Sequence, residues 1–127
     1  MALKFGIYKC AMCGNVVEVF VEGDGELVCC GKPMTLMDER NKDGAGEKHL
    51  PVVEKTNNGI LVKVGSVPHP MDPDHWIQFI EVMTNDNYVL RKELNPGDKP
   101  EAEFKVSQSE VKLVREFCNK HGLWATK

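Results

Sequence analysis

The chain of 127 residues lacks most of the features that announce a partner. No apolar run approaches the ~20 residues of a membrane span, which excludes a transmembrane helix. The opening stretch, MALKFGIYKC, has one lysine and no apolar segment of signal-peptide length before Cys10, so a cytoplasmic setting is expected. An excess of basic charge is missing too: 16 Lys and Arg against 19 Asp and Glu give a formal net charge of −3. With no basic run to override that balance, neither nucleic acid nor an anionic membrane is expected as the main partner. Gly44-Ala45-Gly46 has neither the lysine nor the spacing of a phosphate-binding loop. Internal repeats and low-complexity tracts are absent. What remains is 42% apolar and 28% charged, the composition of a soluble globular protein. The length suits one ordinary domain, or one small domain with a miniature one attached.

Texture divides the chain in three. Residues 1–37 hold four of the five cysteines, two glycine-bearing turns and one short alternating run, Val17-Val19-Val21. A piece that small does not bury enough apolar surface to fold alone; below ~40 residues a metal, disulfides or oligomerisation is usually required. Residues 38–48, DERNKDGAGEK, are polar and read as a linker. From 49 to 127 short β-prone runs alternate with turn signals, which predicts an antiparallel sandwich or barrel. Asn58-Gly59 between two β-branched runs marks a hairpin. Ser107-Gln108-Ser109-Glu110 has the spacing of a capping box, so residues 109–117 offer a helix; their valine content favours a strand, VKLVREFC.

Cys10-x-x-Cys13 followed by Cys29-Cys30 makes a four-thiolate set, with a glycine after each pair, Gly14 and Gly31. CxxC places two sulfurs within reach of one ion, and the glycines let backbone N–H groups turn towards them. A redox dithiol or two disulfides is the competing reading. In a cytosolic protein disulfides are rare, and an adjacent pair bridges only with strain. An S₄ tetrahedron suits either zinc or a single iron.

Cys118 is left over, with four histidines: His49, His69, His75 and His121. Taken singly, a free cysteine usually packs in a core, and a lone histidine is usually an ordinary core or surface residue. Their contexts nevertheless look alike. His49 precedes an apolar run, His69 is held in Pro68-His69-Pro70, His75 ends the same loop, and Cys118-x-x-His121 is a ligand-like pair. All lie at element boundaries, where ligands from several strands converge on one end of a sandwich.

Taken together, YKCAMCGNVVEV, GELVCCGKPM, EKHLPV, KVGSVPHPM, HWIQFIEV and FCNKHGLW resemble desulfoferrodoxin, the two-iron form of superoxide reductase, over nearly the whole chain. The resemblance implies a desulforedoxin-like domain holding an Fe(Cys)₄ centre on Cys10, Cys13, Cys29 and Cys30. It implies an immunoglobulin-like β-sandwich with a second iron in the plane of His49, His69, His75 and His121 and the Cys118 thiolate as axial ligand. The family also implies homodimers and a small electron donor such as rubredoxin. Five ligands leave one octahedral position open opposite the sulfur, and a thiolate pushes electron density towards that position. Such a ferrous site suits one-electron reduction of superoxide to hydrogen peroxide, without dismutation.

Glu47-Lys48 directly precedes His49. A charge pair in a linker is usually solvated and worth little. Beside an open cationic site, Lys48 would attract the superoxide anion and orient a protonating water. The resemblance gives Glu47 the role of a carboxylate ligand to the oxidised iron. Asp72 and Asp74 read as a solvated turn, Met34, Met37, Met71 and Met83 as packing, and Trp76 and Trp124 chiefly as packing. The competing functions are a non-catalytic, rubredoxin-like electron-transfer protein working through the Fe(Cys)₄ centre, and a structural protein with zinc at the Cys₄ site and Cys118 free.

Overall fold

A computed structural model describes residues 2–41 and 49–126. The chain divides into two compact units, Met1–Asp38 and Glu39–Lys127. Glu39 and Arg40, expected in the linker, therefore belong to the second unit. Arg40 N–H donates to the Leu123 carbonyl at 3.0 Å, and Ala125 N–H donates to the Arg40 carbonyl at 2.8 Å.

The first unit is built from five short strands: β1 (Ile7–Lys9), β2 (Val16–Glu18), β3 (Val28–Cys29), β4 (Lys32–Pro33) and β5 (Thr35–Leu36). They form a three-stranded sheet in the order β2-β1-β5 and a separate β3-β4 hairpin. Among the described residues Ala2, Tyr8 and Val19 form its buried cluster, flanked by Leu27 and Met34, and Ile7 and Cys10 are buried as well. So few core residues supply too little apolar burial to hold such a unit, which agrees with the need for another fastening. The alternation at Val17-Val19-Val21 does not extend the strand: β2 ends at Glu18, Val19 turns inward and Val21 is 85% exposed.

The second unit is a β-sandwich of seven strands: β6 (Pro51–Lys55), β7 (Ile60–Val64), β8 (Ile77–Thr84), β9 (Val89–Glu93), β10 (Glu101–Phe104), β11 (Val111–Cys118) and β12 (Gly122–Thr126). Its sheets run β10-β7-β6 and β12-β11-β8-β9, all antiparallel. Three and four strands facing one another across a core is the immunoglobulin-like arrangement. Period-two alternation puts Ile60, Val62 and Val64 of β7 inward, against Ile80 and Val82 of β8 and Val114 of β11. Each such side chain, fully buried, contributes about 1.5–3 kcal/mol.

The strand preference for VKLVREFC is the one observed. Only Gln108–Glu110 forms a single 3₁₀ turn, and Ser107 makes no side-chain cap bond there. The Asn58-Gly59 hairpin is present, but its last strand pair is Lys55 with Ile60, so four residues make the turn. A Cβ at Gly59 would overlap the Phe104 carbonyl on β10, so glycine is required by close approach. Strand β12, built from GLWAT, was not anticipated.

Direction places the site. Pro51 at the start of β6 pairs with Val64 at the end of β7, and Cys118 at the end of β11 pairs with Ile77 at the start of β8 and Gly122 at the start of β12. The segments bearing His49, His69, His75, Cys118 and His121 therefore all emerge at one end of the sandwich.

Candidate metal centres

In the first unit, Cys10 follows β1 and Cys13 lies in the turn after it, where Gly14 takes φ +83° and its N–H donates to the Cys10 carbonyl. Cys29 ends β3, and Cys30-Gly31 is a two-residue hairpin loop, with φ +53° and +75°. Positive φ at both positions is the primed turn that matches strand twist, and it explains the adjacent cysteine pair. All four sulfurs lie within 4.8 Å of one another. Cys13 Sγ is 3.6 Å from Cys29 Sγ, and Cys29 Sγ is 3.9 Å from Cys30 Sγ, well beyond a disulfide's ~2.05 Å. The disulfide reading is thus not realised: all five cysteines are free.

Electrostatics describe a ligand set rather than four independent thiols. The Cys13 backbone N–H facing Cys10 is the main influence lowering its thiol to about 6. Cys13, Cys29 and Cys10 crowd Cys30 and push it up to about 12, and contacts with Cys13 and Cys10 raise Cys29. One thiolate forms easily and its neighbours then resist; a bound cation reverses that resistance, because coordinated thiols ionise outright. Asn15 Nδ2 adds a donor 3.7 Å from the Cys29 sulfur.

In the second unit, the four imidazoles close a ring. Centroids are 4.5 Å apart for His49–His69, 4.7 Å for His69–His75, 5.0 Å for His75–His121 and 4.8 Å for His121–His49. Cys118 enters from the core side, fully buried and part of the sandwich core, whereas His121 is exposed. Donor atoms of His49, His69, Cys118 and His121 lie within 4.8 Å of one another; His75 is beside this group rather than inside it.

Hydrogen bonds select the nitrogen each ring offers. His49 Nε2 lies 3.0 Å from His121 Nδ1, which is 3.8 Å from Cys118 Sγ, so both nitrogens face the middle. His69 Nδ1 donates to the Pro70 carbonyl at 2.7 Å, leaving Nε2 with its lone pair. His75 Nε2 is buried with no hydrogen-bond partner among the described residues. Burial, then the neighbouring His121, lowers the His75 pKa and keeps the ring in its neutral, ligating form. Burial pushes the Cys118 thiol up, while backbone N–H groups of His121 and Lys120 pull it down. A buried imidazole nitrogen lacking a partner, inside a ring of four imidazoles over a buried sulfur, fits a metal ion. Imidazole and thiolate donors together suit iron.

Two supporting residues escaped the sequence reading. Glu116, on β11, is fully buried, with Oε2 3.4 Å from His49 Nδ1; burial raises its pKa well above the usual carboxylate range. Such a carboxylate fixes the tautomer and orientation of a ligating histidine. Two residues before Cys118 it shares that residue's strand, yet a glutamate among valines reads as solvent-facing. Trp124 does more than pack: it stacks on His49 at 4.7 Å and 10°, and its Nε1–H donates to the His121 carbonyl at 3.1 Å. Asp72 and Asp74 are exposed as expected, and Met83 and Met34 pack against cores or stand buried. Glu47 and Lys48 lie outside the described residues.

The family model described as Desulfoferrodoxin matches residues 41–127, and that described as Desulfoferrodoxin, N-terminal domain, matches residues 2–37. A desulfoferrodoxin of Syntrophotalea carbinolica is 58% identical over 127 residues, covering 100% of this chain and 99% of that protein. One from Nitratidesulfovibrio vulgaris is 55% identical over 124 residues, covering 98% and 97%. Among solved structures, the superoxide reductase of Treponema pallidum superposes with a TM-score of 0.78 at 30% identity, covering 100% of both chains. The Cys₄ group and the His/Cys group match the two-iron desulfoferrodoxin architecture. The chain belongs to the desulfoferrodoxin family.

Proposed function

We propose that this chain is a superoxide reductase, with Cys10, Cys13, Cys29 and Cys30 holding one iron and His49, His69, His75, His121 and Cys118 holding the second. The observation that carries the reading is the closed ring of four imidazoles above the buried Cys118 sulfur. Iron held by these residues would, when ferrous, supply one electron to superoxide, which with two protons gives hydrogen peroxide. Cys118 belongs to the sandwich core while His121 is exposed, so an incoming anion would approach the imidazoles from the solvent side. Lys48 draws the anion in and orients the water that delivers protons, and Glu47 shares the same loop. Of residues 38–48, those beyond Arg40 thus serve as linker and active-site loop. Electrons come from a small carrier such as rubredoxin, in the cytoplasm. Exposed Val17, Phe20, Val21 and Val28 on the first unit support a homodimer, since a second copy would cover them.

The test is anaerobic reduction followed by stoichiometric superoxide. The His/Cys iron oxidises rapidly with no oxygen evolved, and Lys48→Ile slows that step while both irons stay bound. Oxygen evolution would indicate dismutation, and absence of reaction would indicate electron transfer alone; either overturns the proposal.

A further inference from the structure

His75 is the imidazole outside the tight group of donor atoms, so whatever holds its backbone decides whether it reaches the site. The His75 N–H and carbonyl are both spent on Asp72, at 3.0 and 2.9 Å. That two-residue bridge is local to the loop and does not fasten it to the sandwich. The loop is held at Met71 by the Gly97 N–H and at Trp76 by its Nε1–H to the Leu94 carbonyl. Asn119, in the turn between β11 and β12, ties the residues flanking His75 to that turn.

Strand pairing of β8 with β11 ends at Ile77 and Cys118, just after an irregularity in register. Asn119 continues the ladder beyond that point with its side chain. Its Oδ1 accepts from Trp76 N–H at 2.9 Å, its Nδ2 donates to the Asp74 carbonyl at 3.0 Å, and its backbone N–H donates to the Trp76 carbonyl at 3.2 Å. The side-chain amide thus stands in for a peptide unit of a neighbouring strand, gripping the residue on each side of His75. Because Asn119 sits between Cys118 and His121, the grip ties the fourth imidazole to the turn that supplies two other donors. Asparagine suits this place because it offers an acceptor and a donor from one short planar group.

We infer that Asn119 is a positioning residue, clamping Asp74 and Trp76 so that His75 completes the ring of imidazoles. The inference rests on the assignment of His75 as a metal ligand. Without the side-chain clamp the Asp72–His75 bridge, the Asn119 N–H bond to the Trp76 carbonyl and the Trp76 indole bond to the Leu94 carbonyl persist. The Asp74 carbonyl and Trp76 N–H, however, lose their tie to the turn, which loosens His75 relative to Cys118 and His121.

The experiment is a double-mutant cycle on the full-length, iron-loaded protein, read by loss of iron from the His/Cys centre to excess ferrous chelator and by the electron paramagnetic resonance of the oxidised centre. Asn119→Ala should speed iron loss by about ten- to a hundredfold, the range for residues that orient ligands. Its signal should move towards that of His75→Ala, and the Cys₄ iron should be unaffected. In a His75→Ala background, Asn119→Ala should add nothing, since its route of action is gone. Asn119→Asp keeps the acceptor for Trp76 N–H and loses the donor to Asp74, so it should fall between wild type and alanine. If His75→Ala alone leaves iron retention unchanged, the ligand assignment fails and the clamp with it. If His75→Ala weakens retention but Asn119→Ala and Asn119→Asp do not, the clamp alone is overturned. Equal effects of Asn119→Ala in both backgrounds would also overturn it.

Discussion

Replacing Trp124 by alanine removes a fully buried indole that touches two of the four ring histidines at once. Deleting a buried tryptophan to alanine costs about 3–5 kcal/mol through lost transfer energy and the cavity left behind. Trp124→Phe separates the contributions. It keeps an aromatic face for His49 and most of the volume, but removes the Nε1–H that the His121 carbonyl accepts. His121 is exposed, so water can replace that donor and the loss is near a net hydrogen bond, about 0.5–1.5 kcal/mol. With the smaller ring counted, Trp124→Phe should cost about 1–2 kcal/mol, some 2–3 less than alanine. Urea unfolding followed by fluorescence measures both, because the chain has two tryptophans and Trp76 remains as reporter of the second unit. In Trp124→Ala, His49 and His121 lose their shared support, so the His/Cys iron should be lost to chelator while the Cys₄ iron stays. The reasoning fails if alanine costs under about 1 kcal/mol, if phenylalanine is as damaging as alanine, or if both irons leave in parallel.

Glu116→Gln keeps the shape beside His49 but replaces a carboxyl with an amide, and should weaken retention of the His/Cys iron by about tenfold; a chelator challenge showing wild-type retention would refute the support assigned to Glu116. Arg115 is buried and bonded to fully buried Glu81 through Nε and Nη2, and to Glu39 at 3.0 Å through Nη1. Arg115→Ala should cost about 3–5 kcal/mol in a urea melt by leaving Glu81 charged and uncompensated, whereas Arg115→Met with Glu81→Leu should recover most of it. A double variant as unstable as the single would show that the loss is packing rather than charge.

The ligands were legible because they obey spacing and boundary rules that survive without tertiary information. Cys10-x-x-Cys13 and Cys29-Cys30 announce a site by proximity in sequence, and their glycines supply the φ values found at Gly14 and Gly31. The histidines were legible as a set, since His49, His75 and His121 each precede a strand within two residues and His69 shares the β7–β8 loop with His75. Supporting groups obey no such rule. Glu116 is buried because β11 is covered on both faces from Val114 to Cys118, which only pairing with β8 and β12 and the packing around it establish. Trp124 was hidden for a related reason: GLWAT alternates weakly and starts with glycine, so its strand exists only through pairing with β11. The capping box at Ser107 failed in the opposite direction. Its spacing is correct, but Val111 to Cys118 pairs with β8 and, from Val114 onward, with β12 as well, which outweighs a cap for a short helix.

The two centres place metal binding on different sides of the folding problem. Around Cys10, Cys13, Cys29 and Cys30 the first unit has three clustered core residues, and three of its sulfurs are at least partly exposed. A metal there supplies the closure that apolar burial does not, so its binding energy is largely folding energy. The His/Cys centre is borrowed from a sandwich that already has its own core, of which Cys118 is a member. Burial there raises the thiol against ionisation, so a cation must win back that desolvation before the thiolate serves as ligand. The return is positional. A sulfur fixed at the end of an eight-residue strand, paired on both flanks, does not follow the metal, whereas the histidines preceding β6 and β8 ride on loops. This division explains why the residues that support His49 and His75, Glu116 and Asn119, lie on either side of Cys118: the strand end that holds the sulfur is also the fixed point to which the imidazoles are tied.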